Sequence, residues 1–469
     1  MAAARALAAG DAADDDPLDA AGLRRRYSAG RAAWAAQWRE FPMYADKRTL
    51  RAFRDAARDH AVTLVISATG SGKTVVVPPL MLADLDAGRL LGPGGGGGGQ
   101  GRRAVAVTIP KRVTAESAAR RAAVTLDAAV GGEVGFAYRG APPGSAGAAT
   151  RLLYCTDGAL LAQARRDPLL RGYAVVVVDE AHERSVPTDL LLLALRGALE
   201  ARAGDLRVVI MSATIDPALF AAYFSRGASL GPPRAPQASK GSPPPAEGVA
   251  VVRVAGAPLH PVEWRFAARD ATAEDYMERG VQALLGHLLS PGPTKGVPRD
   301  ALMFVATTRE AQEGCRLLAV AGGRGPSAGR LPAGVACAGL YGRQAKEAQQ
   351  RALAPPPAPR GATRVLFATN VAESSLTVPG LGHVVDSGMQ LTSAWDAAAH
   401  GVRLSRGLAS RAQITQRVGR VGRTSPGVAH LLYTRATYDA LPEFPPPAVR
   451  LIDMSEFLLA AMADGAGLR

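Results

Sequence analysis

The octapeptide Ser-Ala-Thr-Gly-Ser-Gly-Lys-Thr, residues 67–74, follows an apolar run, VTLVIS (62–67), and opens a helical stretch. That order of strand, glycine-rich turn and helix is what a phosphate-binding loop requires. Gly70 and Gly72, flanking Ser71, let backbone N–H groups curl around phosphates, and the helix N-terminus adds the positive end of its dipole. Lys73 is placed to reach the β- and γ-phosphates of a nucleoside triphosphate, and the Thr74 hydroxyl suits Mg²⁺. The strict pattern has glycine where Ser67 stands, and another small residue serves there.

A second group lies about 105 residues on: Asp179 and Glu180 end the apolar run AVVVV (174–178), with His182 two positions beyond. Two adjacent carboxylates at a strand end can divide the work of phosphoanhydride hydrolysis. Asp179 would hold Mg²⁺ through water, and Glu180 would position and deprotonate the attacking water. If both strands belong to one parallel sheet, the pair sits beside the phosphate loop at the carboxyl ends of the strands.

The elements that position these groups are short β-rich runs alternating with helical stretches. In the first half the strands are expected at 62–67, 104–109, 151–155, 174–179 and 207–212, and in the second at 301–306, 364–369, 382–387 and 428–433. They show little internal alternation, as expected for strands buried on both faces of a parallel sheet with helices on either side. A low-complexity stretch at 225–248 separates the halves and reads as a linker. Glycine- and proline-rich insertions at 92–101, 290–298 and 355–361 read as surface loops.

The whole chain has 469 residues and a formal net charge of +14, a balance that suits a polyanionic partner, though scattered arginine on a solvated surface gives the same sum. No run of 18 apolar residues marks a membrane helix, and the alanine-rich start turns acidic by Asp11, unlike a secretory signal. The three cysteines, Cys155, Cys315 and Cys337, show neither CxxC spacing nor a disulfide framework, which points to a reducing, intracellular compartment. Nucleus and cytoplasm are not distinguished.

With these motifs in place, the sequence resembles the DEAH-box/RHA family of superfamily 2 RNA helicases. Asp179-Glu180-Ala181-His182 matches the name-giving box. Ser212-Ala213-Thr214 matches the family's SAT motif, Thr156-Asp157-Gly158 its TDG, and Thr108–Val113 its TQPRRV, with Ile109 in place of glutamine. Residues 368–377, ATNVAESSLT, and 416–424, QRVGRVGRT, are very similar to two motifs of the family's second domain.

The resemblance implies an α/β fold of two tandem RecA-like domains with parallel sheets and a short helical C-terminal remnant. The expected division is an N-terminal tail and helix (1–41), a first domain (42–224), the linker (225–250), a second domain (251–434) and the start of a winged-helix region (435–469). It also implies site residues. Gln416 would orient the water with Glu180, and Arg420 and Arg423 would stabilise the γ-phosphoryl charge from the second domain. Arg121, Ser375 and Thr377 would hold the nucleotide. Arg112, Thr156, Thr369 and Asn370 would touch the nucleic-acid backbone. His182, Ser212 and Thr214 would couple hydrolysis to strand separation. The segment 389–412 occupies the place of a strand-separating hairpin, with a plain surface hairpin as the alternative.

Departures are Leu353, near a position where the family stacks a phenylalanine on the base, and Pro379, where it often has an aspartate. The expected activity is ATP-dependent RNA unwinding or RNP remodelling with 3′–5′ movement. A DNA helicase, a translocase that does not separate strands, and a non-catalytic nucleotide-binding scaffold stay open. ATP or another NTP with Mg²⁺ is the expected cofactor set. Single-stranded RNA or DNA is the expected partner of a monomer with no membrane attachment, and a glycine-rich activator protein is compatible with the family.

Overall fold

In the first half, successive residues of each strand fall alternately into two apolar cores. Val65, Val105, Val107, Val175, Val177, Val209 and Met211 enter one, while Leu64, Ala106, Val176, Val178, Val208 and Ile210 enter the other. A strand with a core on each face cannot alternate apolar and polar residues, so the valine runs follow directly from the layering.

The computed structural model describes residues 38, 41–67, 70–91, 104–202, 204–225, 249–254, 260–289, 296–322, 329–342, 344–354, 362–374, 378 and 380–463. These fall into two units. The first comprises residues up to Gly256 together with 447–449 and the segment from Ser455. The second runs from Ala257 to Pro446 with 450–454.

The first unit is built on seven parallel strands, β1 (Val62–Ser67), β2 (Ala104–Thr108), β3 (Val134–Ala137), β4 (Leu152–Cys155), β5 (Tyr173–Val178), β6 (Arg207–Ser212) and β7 (Val249–Val254), in the order β3-β4-β2-β5-β6-β1-β7. The helix Lys47–Asp59 begins where the Asp46 carboxylate accepts from the Arg48 N–H, and it buries Leu50, Phe53, Ala56 and Ala57 along one stripe. β7 pairs with β1, so the sheet is completed by residues beyond the low-complexity segment. The boundary expected at 250 falls inside this strand.

The second unit has six parallel strands, β8 (Val262–Phe266), β9 (Asp300–Phe304), β10 (Val335–Leu340), β11 (Thr363–Ala368), β12 (Leu381–Asp386) and β15 (Gly427–Leu431), in the order β10-β11-β9-β12-β15-β8. Between β12 and β15 stand an antiparallel hairpin, β13 (Met389–Asp396) with β14 (Gly401–Leu408), and the helix Arg411–Val418. That helix opens on a full capping box, Ser410 with Gln413. The short helix Arg435–Ala440 follows, and its Tyr438 ring meets Trp264 and Phe266 of β8.

One expectation is corrected here. Cys315 and Cys337 form a disulfide, with Cα atoms 5.6 Å apart. The helix Thr308–Gly322, which holds Cys315, packs on β10, which holds Cys337, a tertiary pairing that spacing does not encode. The cysteine argument for a reducing compartment therefore falls away. The hairpin expected within 389–412 is present as β13 and β14; Arg411 belongs to the helix that follows, and Arg406 is tied to Glu310 at 2.7 Å and stands over the Tyr276 ring. The hairpin presents Val402 and Leu404 to solvent, 67% and 63% exposed, with Arg403 exposed between them.

Candidate active site

In the first unit the chemistry-bearing residues all follow the carboxyl ends of parallel strands. The phosphate loop follows β1, the acidic pair follows β5, and Ser212 ends β6, which lies between them. Thr108 ends β2, and Thr156 follows β4 as the N-cap of the helix Asp157–Arg166.

Gly70 and Gly72 hold φ of 87° and 85°, the left-handed conformation that glycine adopts without strain. Ser71 Oγ donates to Ser67 Oγ at 2.9 Å across the base of the loop. Lys73, 4% exposed, starts the helix Lys73–Asp86 and lies 3.5 Å from Glu180 Oε1. The Thr74 hydroxyl donates to the Asp179 carboxylate, whose other oxygen accepts from the Glu180 N–H at 2.8 Å.

Burial, and then the charge of Glu180, push the Asp179 carboxyl up to about 7, against Lys73 and the Thr74 hydrogen bond. Burial alone would lower the Lys73 ammonium, but the Glu180 and Asp179 carboxylates raise it. Two hard oxygen donors, Thr74 Oγ1 and Asp179, thus converge beside Lys73. That fits Mg²⁺, which takes one or two protein oxygens and completes its shell with phosphate and water.

Glu180 holds φ 54° and ψ 37°, a left-handed conformation that costs a non-glycine residue about 1 kcal/mol or more. The turn aims its carboxylate at both Lys73 and His182. His182 Nδ1 lies 3.4 Å from Glu180 Oε2 and 3.2 Å from Ser212 Oγ, and burial lowers its pKa. One imidazole therefore joins the acidic box to the end of β6. Thr214 lies two residues beyond Ser212 in the turn that follows.

The remaining first-unit residues are more open. Arg112 is exposed at the start of the helix Arg112–Thr125, its guanidinium over the Tyr138 ring at 5.9 Å. Arg121 is exposed on the same helix. Asp157, beside Thr156, accepts from the Thr188 hydroxyl at 2.6 Å, which ties the TDG segment to the helix Val186–Ala201.

In the second unit, Thr369 and Asn370 follow β11, the first buried and the second exposed. Gln416 and Arg420 are buried on and just beyond the helix Arg411–Val418, with Arg420 Nε donating to the Gln416 carbonyl at 3.3 Å. Arg423 Nε donates to the Gly419 carbonyl at 3.0 Å, and burial lowers its pKa. Ser375, Thr377 and Pro379 lie outside the described residues. Leu353 packs against the core.

Arg417 is a residue the sequence reading passed over. It is 2% exposed, and its guanidinium reaches Glu373 at 3.0 Å and Asp386 at 2.9 Å. The signal was present: a third arginine inside QRVGRVGR whose helix face points inward. Phe41, discussed below, is another.

A parallel sheet with a phosphate loop after one strand and a carboxylate pair two strands away defines a P-loop nucleotide-binding core. Residues 47–220 match the DEAD/DEAH box helicase family, and residues 281–425 match the helicase conserved C-terminal domain. Protein L540 of Acanthamoeba polyphaga mimivirus, provisionally named an ATP-dependent RNA helicase, is 34% identical over 94% of this chain and 57% of its own length. The ATP-dependent RNA helicase HrpA of Escherichia coli is 32% identical over 88% of this chain and 28% of its own. The crystal structure of the E. coli DExH-box NTPase HrpB superposes with a TM-score of 0.70 at 27% identity, covering 91% of this chain and 45% of that one. The chain belongs to the DEAH-box/RHA family of superfamily 2 helicases. It spans 57% or less of the length of these relatives.

Proposed function

We propose that this chain is an ATP-dependent RNA helicase or RNP remodeller, in which NTP hydrolysis drives 3′–5′ movement along a single strand. The observation that carries this reading is the connected set Lys73, Thr74, Asp179, Glu180, His182 and Ser212 at the strand ends of the first unit.

In this reading residues 42–224, with β7 completing their sheet, bind the nucleotide, and the rest of the expected 251–434 supplies the second helicase domain, with a winged-helix segment beginning near 435. Lys73 and the loop amides bind the β- and γ-phosphates. Mg²⁺, when bound by Thr74 and Asp179, supplies positive charge to the phosphate oxygens. Glu180 takes the proton of the attacking water, which Gln416 helps orient. Arg420 and Arg423 stabilise the transferring phosphoryl group. Arg121, Ser375 and Thr377 hold the rest of the nucleotide.

Arg112, Thr156, Thr369 and Asn370 grip the sugar–phosphate backbone, so sequence preference is weak. His182, Ser212 and Thr214 transmit the state of the Glu180 carboxylate toward the strand-separating step. The protein acts as a monomer, and a glycine-rich activator fits the family's regulation. Among the described residues no helix is long and apolar enough to cross a membrane.

The test is steady-state ATP hydrolysis with and without single-stranded RNA, for the wild type and Glu180→Gln. The expected result is turnover that rises with RNA and collapses in the variant. Intact ATP binding with no turnover in either protein would sink the enzyme reading. Matched RNA and DNA duplexes then separate an RNA from a DNA helicase, and turnover without unwinding identifies a translocase.

A further inference from the structure

The segment just ahead of the matched helicase region begins at Phe41, and it is locked onto the phosphate loop. The Met43 N–H donates to the Ser71 carbonyl at 3.1 Å. The Phe41 side chain covers Gly72 so closely that a Cβ there would meet Phe41 Cβ and Cγ at 2.5 Å. The segment is itself anchored. Met43 is fully buried, Trp38 and Tyr44 are nearly so, their rings meet edge to face at 5.6 Å, and the Phe41 N–H donates to the Trp38 carbonyl at 3.0 Å.

Peptide geometry gives these contacts a consequence. In a planar trans peptide the C=O and the following N–H point in opposite directions. Holding the Ser71 carbonyl on Met43 therefore turns the Gly72 N–H away from the segment, toward the concave side of the loop. The next peptide is fixed as well, because the Gly72 carbonyl accepts from Val75 and Val76 at 3.0 and 2.8 Å, which orients the Lys73 N–H. Two consecutive phosphate-facing donors are thus aimed by the partners of their carbonyls. Phe41 keeps the left-handed Gly72 from swinging out of that arrangement.

We propose that Phe41 and Met43 are positioning residues for nucleotide binding: they hold the Ser71–Gly72 peptide in its phosphate-binding orientation before any nucleotide arrives. The inference rests on the nucleotide-binding reading above. It adds a second role for the glycine at 72, since any side chain there would collide with Phe41 as well as strain the backbone. It also predicts reciprocity: if the segment orders the loop, a bound nucleotide orders the segment.

The test uses the full chain. ADP affinity and the KM and kcat of ATP hydrolysis are measured for the wild type, Phe41→Ala and Phe41→Leu, with the thermal midpoint of each apo protein as a control. The expected result for Phe41→Ala is ADP affinity weaker by on the order of tenfold, about 1.4 kcal/mol. The ATP KM should rise in parallel, and kcat at saturating ATP should stay within about twofold, since the loop binds phosphate equally in ground and transition states. Phe41→Leu, which refills the space over Gly72, should recover most of the affinity. A purely structural role would lower the thermal midpoint without splitting KM from kcat.

Amide exchange on the unmodified protein keeps the idea testable should Phe41→Ala fail to fold. ADP should slow exchange at 41–45 together with 70–76. Protection of 70–76 alone, or equal ADP affinity in a folded Phe41→Ala, overturns the proposal. Failure of the wild type to bind ADP would instead overturn the nucleotide-binding reading.

Discussion

Arg417 Nη1 donates to Asp386 Oδ1 at 2.9 Å, and Asp386 is sealed completely from solvent. The same guanidinium uses Nε to bond Glu373 at 3.0 Å, and the Tyr433 hydroxyl donates to the second Asp386 oxygen at 2.9 Å. One arginine thereby joins the segment after β11, the end of β12 and the helix Arg411–Val418. Burial raises the Glu373 pKa, against the pull of Arg417, so the carboxylate depends on this partner to stay charged.

Arg417→Met removes the charge and leaves two buried acids facing one another. Breaking a buried pair from one side costs about 3–5 kcal/mol. Denaturant unfolding followed by a probe in the second unit should show a loss of that size. A loss below about 1 kcal/mol would mean that the network contributes little.

Ser212→Ala removes the hydroxyl beside His182 Nδ1 and leaves Lys73, Asp179 and Glu180 untouched. A side-chain hydrogen bond of this kind contributes about 0.5–1.5 kcal/mol, equivalent to roughly a two- to tenfold effect. Under the proposed coupling role, strand separation per ATP hydrolysed should fall by that factor while RNA-stimulated turnover is nearly retained. Equal losses in both rates would place Ser212 in hydrolysis itself.

Three histidines stack in the second unit. The His287 and His383 rings are 3.5 Å apart, and His383 Nδ1 lies 3.2 Å from His430 Nε2. Burial, and then the neighbouring His287 and His430, push His383 down to about 3. Burial, and then Arg265, push His430 down to about 4. Both start from 6.5 in the unfolded chain, so the unfolded state binds more protons over that interval. Their contribution to stability is fully present above about pH 6.5 and drains away as the pH falls toward 4. Unfolding midpoints across this range should drop more steeply for the wild type than for His383→Asn, and parallel curves would refute the assignment.

The Cys315–Cys337 bridge spans 22 residues, a loop for which closure entropy gives about 3 kcal/mol of stabilisation. Reduction, or Cys315→Ser with Cys337→Ser, should lower the unfolding midpoint of the second unit accordingly and spare the first. An unchanged midpoint on reduction would show that the bridge does not constrain the unfolded chain.

The sequence was most readable where one local signal sufficed. β1 and β6 fall where the valine and isoleucine runs put them, and the phosphate loop and acidic box stand at strand ends as their spacing requires. Four strands gave no such signal. β3 has only four residues with a glycine inside, and β10 is rich in alanine and glycine. β8 is a half-exposed edge strand, and β7 directly follows the low-complexity segment in the sequence. Within the site, motif order indicated Lys73, Glu180 and Arg420, but their partners were hidden. The hold of Met43 on Ser71, of His182 on Ser212 and of Arg417 on Asp386 each joins residues far apart in the chain, and only the fold brings them together.

β7 covers the β1 edge of the first sheet and becomes its edge strand, yet it is separated from the helix Pro217–Phe224 by residues 225–248. During synthesis β1 leaves the ribosome long before its edge partner exists. Until residue 254 has emerged, the nascent sheet carries a long apolar border able to pair with another chain. Slow elongation through the proline- and glycine-rich stretch would prolong that exposure.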